Sequence, residues 1–174
     1  PFSFLKKEGV DDYRQAIERA PNPETPLGLY LHIPFCRKRC HFCYFRVYTD
    51  KNASAINGYL KAAAKELELY RQQPFIGDRK LDFIYFGGGT PSYLSVDQLT
   101  KLTDDLKETL PWDDAREVTF ECEPGTLTPQ KLKAIREIGV TRLSLGIENF
   151  DDHILEINGR AHRSRESERS FGYA

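Results

Sequence analysis

Cys36, Cys40 and Cys43 stand in Cys-x3-Cys-x2-Cys order directly after the apolar run Leu27–Phe35. Three thiols so close together turn toward one centre only from a loop. Pro34 and the basic trio Arg37, Lys38 and Arg39 favour a loop over a regular element, and the trio also suits an anionic, thiolate-ligated centre. Three chemistries compete for such a stretch. A disulfide framework is disfavoured, because the 174-residue chain has only four cysteines and enough length for a core of its own. Zinc needs a fourth ligand, for which Cys122, His41 or His32 is available, yet structural zinc sites usually pair cysteines as Cys-x2-Cys twice. A four-iron cluster on three thiolates borrows nothing, since its remaining iron stays open to a bound molecule. Spacing alone favours the iron-sulfur reading and leaves zinc open.

The elements that must position these thiols follow an alternating pattern. Leu27–Phe35 reads as a buried strand ending at the cysteine loop. From about Ala53 to Gln73, Ile56, Leu60, Ala63, Ala64, Leu67 and Tyr70 recur at helical spacing, with Asn52 or Ser54 as N-cap. Leu81–Phe86 reads as a second buried strand running into Gly87-Gly88-Gly89-Thr90-Pro91. Ser95 and Gln98 form a candidate capping box for a helix whose apolar face is Val96, Leu99, Leu102, Leu106 and Leu110. Glu117–Glu121 is a third strand, and Thr128 with Pro129 opens a third helix closed by Gly139. Arg142–Ile147 is a fourth strand, and a fourth helix begins over about Asp151–Ile157. Four alternations imply an α/β fold of parallel strands joined by crossover helices, with the chemistry at the carboxyl ends of the strands. The cysteines, the triple glycine, Glu121-Cys-Glu-Pro and Glu148-Asn149 all follow strand ends, so all four loops are expected on one face.

Each loop has a plain structural alternative. The triple glycine also suits a tight strand-to-helix turn. It lacks the Gly-Lys-Ser/Thr of a phosphate loop and the Gly-x-Gly-x-x-Gly of a dinucleotide fold. Glu121 suits either a turn cap or an acceptor for a ligand amine or ribose. Cys122, pointing away from Glu121 by strand alternation, reads as a packed thiol. His41 reads as a solvated spacer, and the charged runs Lys101–Glu108 and Arg163–Arg169 as solvated surface.

Composition narrows the class. With 25 basic and 26 acidic residues there is no electrostatic case for nucleic acid. No stretch approaches the eighteen apolar residues of a membrane span, and no signal peptide opens the chain, so free cysteines point to a reducing, cytoplasmic setting. The chain has no methionine, even at position 1, which suggests an excised or processed piece. Residues 1–26, with an amphipathic candidate over Asp11–Arg19 and then Pro21, Pro23 and Pro26, read as a lead-in. Residues 27–162 form the core, and 163–174 are expected to be a polar tail, disordered or truncated.

The combination YLHIPFCRKRCHFCYF, FGGGTPS, ECEPGT and RLSLGIENFDDHILEINGRAH resembles the radical S-adenosylmethionine superfamily. Within it, the chain resembles the oxygen-independent coproporphyrinogen III oxidase-like (HemN/HemW-like) family. The likeness covers roughly Leu27–His162. It implies a partial (βα)6 TIM-like barrel with about four βα units present and the C-terminal units missing. The fourth strand would then be an open edge, inviting a partner or a second copy. The resemblance further implies that Cys36, Cys40 and Cys43 hold a [4Fe-4S] cluster whose free iron is chelated by S-adenosylmethionine. By the same likeness Gly88, Gly89 and Thr90 contact the methionyl part and Phe42 lies near the adenine. Glu121, Glu148 and Arg160 meet polar groups of the cofactor, and Tyr30 matches a tyrosine beside the cluster, a catalytic candidate. The implied activity is reductive cleavage of S-adenosylmethionine to a 5′-deoxyadenosyl radical, for hydrogen abstraction or methyl or methylene transfer. The alternative is a non-catalytic iron-sulfur or haem-handling module. Implied partners are a small-molecule or tetrapyrrole substrate and a reductant such as flavodoxin or ferredoxin. Two departures count against coproporphyrinogen oxidation itself: Phe45 stands where the oxidase has a fourth cysteine, and Glu148 where it has glutamine.

Overall fold

A computed structural model of the protein describes residues 7–174; the first six residues of the expected lead-in lie outside the described residues. Strands β1 (Leu27–Ile33), β2 (Leu81–Gly88), β3 (Glu117–Cys122) and β4 (Arg142–Leu145) form one parallel sheet in the order β1-β2-β3-β4. Helices α2 (Ala53–Arg71), α3 (Val96–Thr109) and α4 (Pro129–Glu137) connect the strands. Helix α1 (Lys7–Glu18) precedes them, and α5 (Asp152–Ile157) and α6 (Ser164–Tyr173) follow β4. Four βα units are therefore present, as the alternation implied. Among the described residues no helix is long and apolar enough to cross a membrane.

Local chemistry sets the helix starts. The Asn52 side chain accepts from Ala55 N at 2.9 Å and caps α2. Ser95 and Gln98 exchange the two bonds of a capping box at α3. Thr128 caps α4, with Pro129 in the first turn where its missing N–H costs nothing. Each helix then lays its apolar stripe on the sheet. Ile56, Leu60, Ala64 and Leu67 of α2 and Leu99, Leu102 and Leu106 of α3 join Leu31, Ile33, Ile84, Phe86, Val118 and Phe120 in one core. Register aligns Leu31, Phe86, Phe120 and Leu143 across the four strands on that face.

Helices cover one face of the sheet, while the other face, where Thr119 is buried, is left partly open, which corrects the expectation of strands buried on both sides. On the other face register aligns Tyr30, Tyr85, Thr119 and Arg142, and Tyr30 and Phe83 are 54% and 45% exposed. The apolar composition of β1 and β2 hid the more open face on which Tyr30 and Phe83 lie.

Two further expectations change. The tail is not disordered: residues 164–173 form α6, which packs on the turn 124–126. Its buried side chains are Ser167 and Ser170 rather than apolar ones, so hydrophobic periodicity carried no signal for it. Helix α1 is already formed at Lys7, the first described residue, ahead of Asp11, and docks near the end of α2, where Phe75 N donates to Ile17 O at 3.1 Å and Tyr13 hydroxyl to Tyr70 hydroxyl at 2.9 Å.

Candidate cluster and cofactor site

The cysteine loop is closed at its base. Cys36 N donates to Tyr48 O at 3.0 Å and Tyr48 N to Pro34 O at 2.8 Å, so residues 36–48 leave and return at one point. The glycine loop after β2 runs alongside, with Gly89 N on Ile33 O at 2.8 Å and Thr90 N on Phe35 O at 2.9 Å. Glycine is required here on two separate grounds. Gly88 has φ 108°, and a Cβ at Gly89 would come within 3.0 Å of Cys36 Sγ and 2.8 Å of Ile33 O. The tight-turn reading of these glycines is thus correct in itself, and its effect is to bring the backbone against Cys36.

Arg160 ties the loop after β4 to the cysteines. Its Nη1 donates to Cys40 Sγ at 3.2 Å and its Nη2 to Gly146 O at 2.5 Å, with the Glu148 carboxylate 3.8 Å away. The Arg160 side chain is only 10% exposed. Glu148 is held at φ 63° in a three-residue turn closed by Asn149 N on Ile147 O at 2.7 Å. A non-glycine residue in such a turn costs about 1 kcal/mol or more. On β3, the Glu121 carboxylate accepts from Tyr85 hydroxyl at 2.7 Å and from Gly88 N at 3.2 Å. That hydrogen bond, with some burial, pushes the Tyr85 phenol up to about 12.

Most of the expected site residues converge. Cys36, Cys40, Cys43, Phe42, Gly88, Gly89, Thr90, Glu148 and Arg160 line one cavity of about 220 Å³. An adjoining cavity of about 230 Å³ adds Glu121 and shares Gly89, Thr90, Glu148 and Arg160. Tyr30 lines neither. It sits on the open sheet face, its hydroxyl 3.0 Å from His32 Nδ1 and its ring stacked on Tyr85 at 6.0 Å between centroids. A larger recess of about 670 Å³ at the amino ends of β1 and β2 is lined by Pro21, Pro23, Pro26 and Asp78–Lys80, and gathers none of these donors.

Several contributors carried no clear signal in the sequence. Glu123 and His162 are both buried, with His162 Nδ1 3.1 Å from Glu123 Oε1, and Arg37 approaches the same carboxylate at 3.5 Å. His162 Nε2 also meets Ile147 O at 3.2 Å, at the start of the Glu148 turn. Burial alone would raise the Glu123 carboxyl, but His162, the Gly125 N–H and Arg37 together hold it below the ordinary value. Part of the basic trio therefore serves Glu123 rather than the thiols. His41 is exposed but is no free spacer: its N and Nδ1 bond to Asn158 O and Ile157 O at 2.9 and 2.7 Å, pinning the cysteine loop to the end of α5. Lys131, buried on α4, caps the carbonyls of Ser92 and Leu94 and so fixes the turn after the glycines. Cys122 is a packed thiol, as its strand position implied, and burial pushes it up to about 12.

All three thiols open onto one cavity, the donor set that a three-thiolate [4Fe-4S] cluster takes; among the described residues no three His, Cys, Asp or Glu side chains are gathered to hold one metal ion. A four-iron cluster takes its thiolates on separate irons, farther apart than ligands bound at about 2.3 Å to one zinc. Burial pushes the Cys36 thiol up, while the Thr90 hydroxyl, donating at 3.3 Å, and Arg160 favour its thiolate.

Comparison with known proteins agrees with this geometry. The chain is 40% identical to the heme chaperone HemW of Bacillus subtilis over 82% of its own length and 37% of that protein's. To the HemW of Haemophilus influenzae it is 34% identical, over 86% of the chain and 39% of the relative. An oxygen-independent coproporphyrinogen III oxidase of Synechocystis is 33% identical over 92% of the chain and 34% of the relative. The chain thus spans less than two fifths of the length of these relatives. Its fold superposes on the structure of coproporphyrinogen III oxidase (HemN) from Escherichia coli, described as a radical SAM enzyme. That match has a TM-score of 0.78 and 29% identity, and covers 98% of the chain and 38% of the other. Methylornithine synthase (PylB), at 16% identity and a TM-score of 0.51, shares the fold over 99% of the chain and 49% of its own. The four-stranded sheet is accordingly part of a radical SAM barrel. The family profile described as the Radical SAM superfamily matches residues 30–174, and the chain belongs to that superfamily.

Proposed function

We propose that Cys36, Cys40 and Cys43 hold a [4Fe-4S] cluster and that S-adenosylmethionine binds in the adjoining cavity. The observation that carries this reading is the shared cavity wall: the three thiols, the glycine loop and Arg160 face the same space. When bound, the cluster supplies one electron that cleaves S-adenosylmethionine to methionine and a 5′-deoxyadenosyl radical, which takes a hydrogen atom from substrate or leads to methyl or methylene transfer. The chain's residues bind, orient and exclude water. Gly88 and Gly89 let the ligand approach backbone groups, Thr90 and Arg160 hold Cys36 and Cys40, and Phe42 offers a ring for the adenine. Glu121, fixed by Tyr85 and Gly88, presents acceptor oxygens to ammonium or ribose groups. Holding these groups in place before reaction removes part of the entropic barrier.

A small molecule, with tetrapyrroles first given the named relatives, is the substrate in this reading, and a flavodoxin or ferredoxin in the cytoplasm is the reductant. Haem handling is a second reading, favoured by the two heme chaperones among the relatives and by Phe45, whose ring lies 5.9 Å from that of His32 in place of a fourth thiol. The test is anaerobic reconstitution followed by dithionite and S-adenosylmethionine. Release of 5′-deoxyadenosine by the wild type and none by Cys40→Ala is expected. A loaded cluster with no cleavage would remove the enzymatic reading.

A further inference from the structure

We infer that His41 is a positioning residue: by completing the carboxyl end of α5 it holds Cys40 and Cys43 in place to receive the cluster. The inference rests on the function proposed above and names the side chain that fixes the tip of the cysteine loop.

A helix ends with four carbonyls that no donor of its own reaches. In α5 two of them are answered by the chain that follows. Gly159 N donates to Glu156 O at 2.9 Å and Arg160 N to Leu155 O at 2.9 Å. These are the paired bonds of a Schellman turn, with Gly159 at φ 70°. The carbonyls of Ile157 and Asn158 remain, and His41 answers both. Its Nδ1 bonds to Ile157 O at 2.7 Å and its backbone N to Asn158 O at 2.9 Å. A carbonyl only accepts, so Nδ1 carries the proton of that bond. The ring also lies against Gly159, where a Cβ would come within 2.8 Å of His41 Cδ2.

These contacts close a circuit around two of the thiols. Cys40 precedes His41 in the chain, Arg160 follows Gly159, and Arg160 Nη1 meets Cys40 Sγ at 3.2 Å. Other hydrogen bonds at the tip stay inside the loop: Cys43 N on Cys40 O at 3.2 Å and Arg39 Nη2 on Cys43 O at 3.1 Å. Among the described residues, His41 and Arg160 therefore make the hydrogen bonds that tie residues 39–43 to another element. A tip held this way has less conformational freedom left to lose when metal binds. A solvated spacer would need only to be polar. This latch needs a donor where Nδ1 stands. Asparagine carries its Nδ2 on Cγ, as histidine carries Nδ1, whereas the glutamine nitrogen lies one bond farther out.

The experiment compares wild type, His41→Asn and His41→Gln. On the anaerobically reconstituted chains, the rate at which the iron chelator bathophenanthroline strips the cluster is followed by absorbance. His41→Gln should lose iron about fivefold faster than wild type, the worth of one hydrogen bond, and His41→Asn should stay within about twofold. On the metal-free chains, amide hydrogen exchange over residues 40–43 should quicken in His41→Gln and not in His41→Asn, with all three urea midpoints alike. Iron loss and exchange in His41→Gln within about twofold of wild type overturn the inference. So does a His41→Asn as fast as His41→Gln, or a fall in the His41→Gln urea midpoint that accounts for its faster iron loss. Each of these leaves the proposed function standing. A wild type that loads no cluster overturns both.

Discussion

The two faces of the sheet are made by alternate residues of the same strands and have opposite uses. On the helix-covered face Phe86 and Phe120 are fully buried, their rings 5.1 Å apart. On the open face Tyr30, His32, Tyr85 and Glu121 form a polar and aromatic surface continuous with the glycine loop. The lesson is that fold and site occupy different sides of one pleat. A substitution on the covered face should cost stability, and one on the open face should cost ligand binding.

That contrast is sharpest for a pair of phenylalanines. Phe120→Ala should lose about 3–5 kcal/mol of stability, read from urea midpoints, because it opens a cavity in a packed core. Phe83→Ala, half exposed over Gly28, should change stability by less than about 1 kcal/mol. Similar losses at both positions would break the comparison.

The next largest effect concerns the buried Glu123–His162 pair. Because the Glu123 carboxyl is held low in the folded chain, it contributes stability above its unfolded value of about 4.3, and that contribution is lost as pH falls through the lower folded value. Urea midpoints measured downward from about pH 5 should therefore fall more steeply in the wild type than in Glu123→Gln. Removing His162 instead, in His162→Ala, leaves the buried carboxylate with only Arg37 and the Gly125 N–H and should cost about 3 kcal/mol near neutral pH.

Smaller still, Asn52→Ala should cost about 1 kcal/mol by deleting the α2 cap. The smallest difference is one of reactivity. Cys122, raised to about 12 and 4% exposed, should resist iodoacetamide at pH 8 in the folded, metal-free chain, while the more accessible Cys40 and Cys43 are alkylated. Mass mapping of the labelled peptides reads this out, and labelling of Cys122 at a rate comparable to Cys40 would contradict the packing of β3.

Local signals in the sequence were enough for the caps of α2, α3 and α4, the four strands, and the meeting of four loops at one end, because each rests on spacing or on a named capping residue. What was hidden depended on partners distant in sequence. His162 acquires its role from Glu123, thirty-nine positions away, and His41 from carbonyls at the end of α5. Helix α6 was missed because it buries serines, and the openness of one sheet face because tyrosine and phenylalanine look alike to a hydrophobic count whether covered or not. Tyr30 was expected at the site, yet it sits beside both cavities rather than within them.

The measurement closest to the central claim is the electron paramagnetic resonance spectrum of the reconstituted, dithionite-reduced chain, recorded with and without S-adenosylmethionine. About four irons per chain, a reduced-cluster signal and a changed signal when the ligand is added are expected, with Cys40→Ala giving no such signal. A cluster that fails to assemble on the wild type, or a signal indifferent to the ligand, would contradict the reading of the three thiols, the glycine loop and Arg160 as one site.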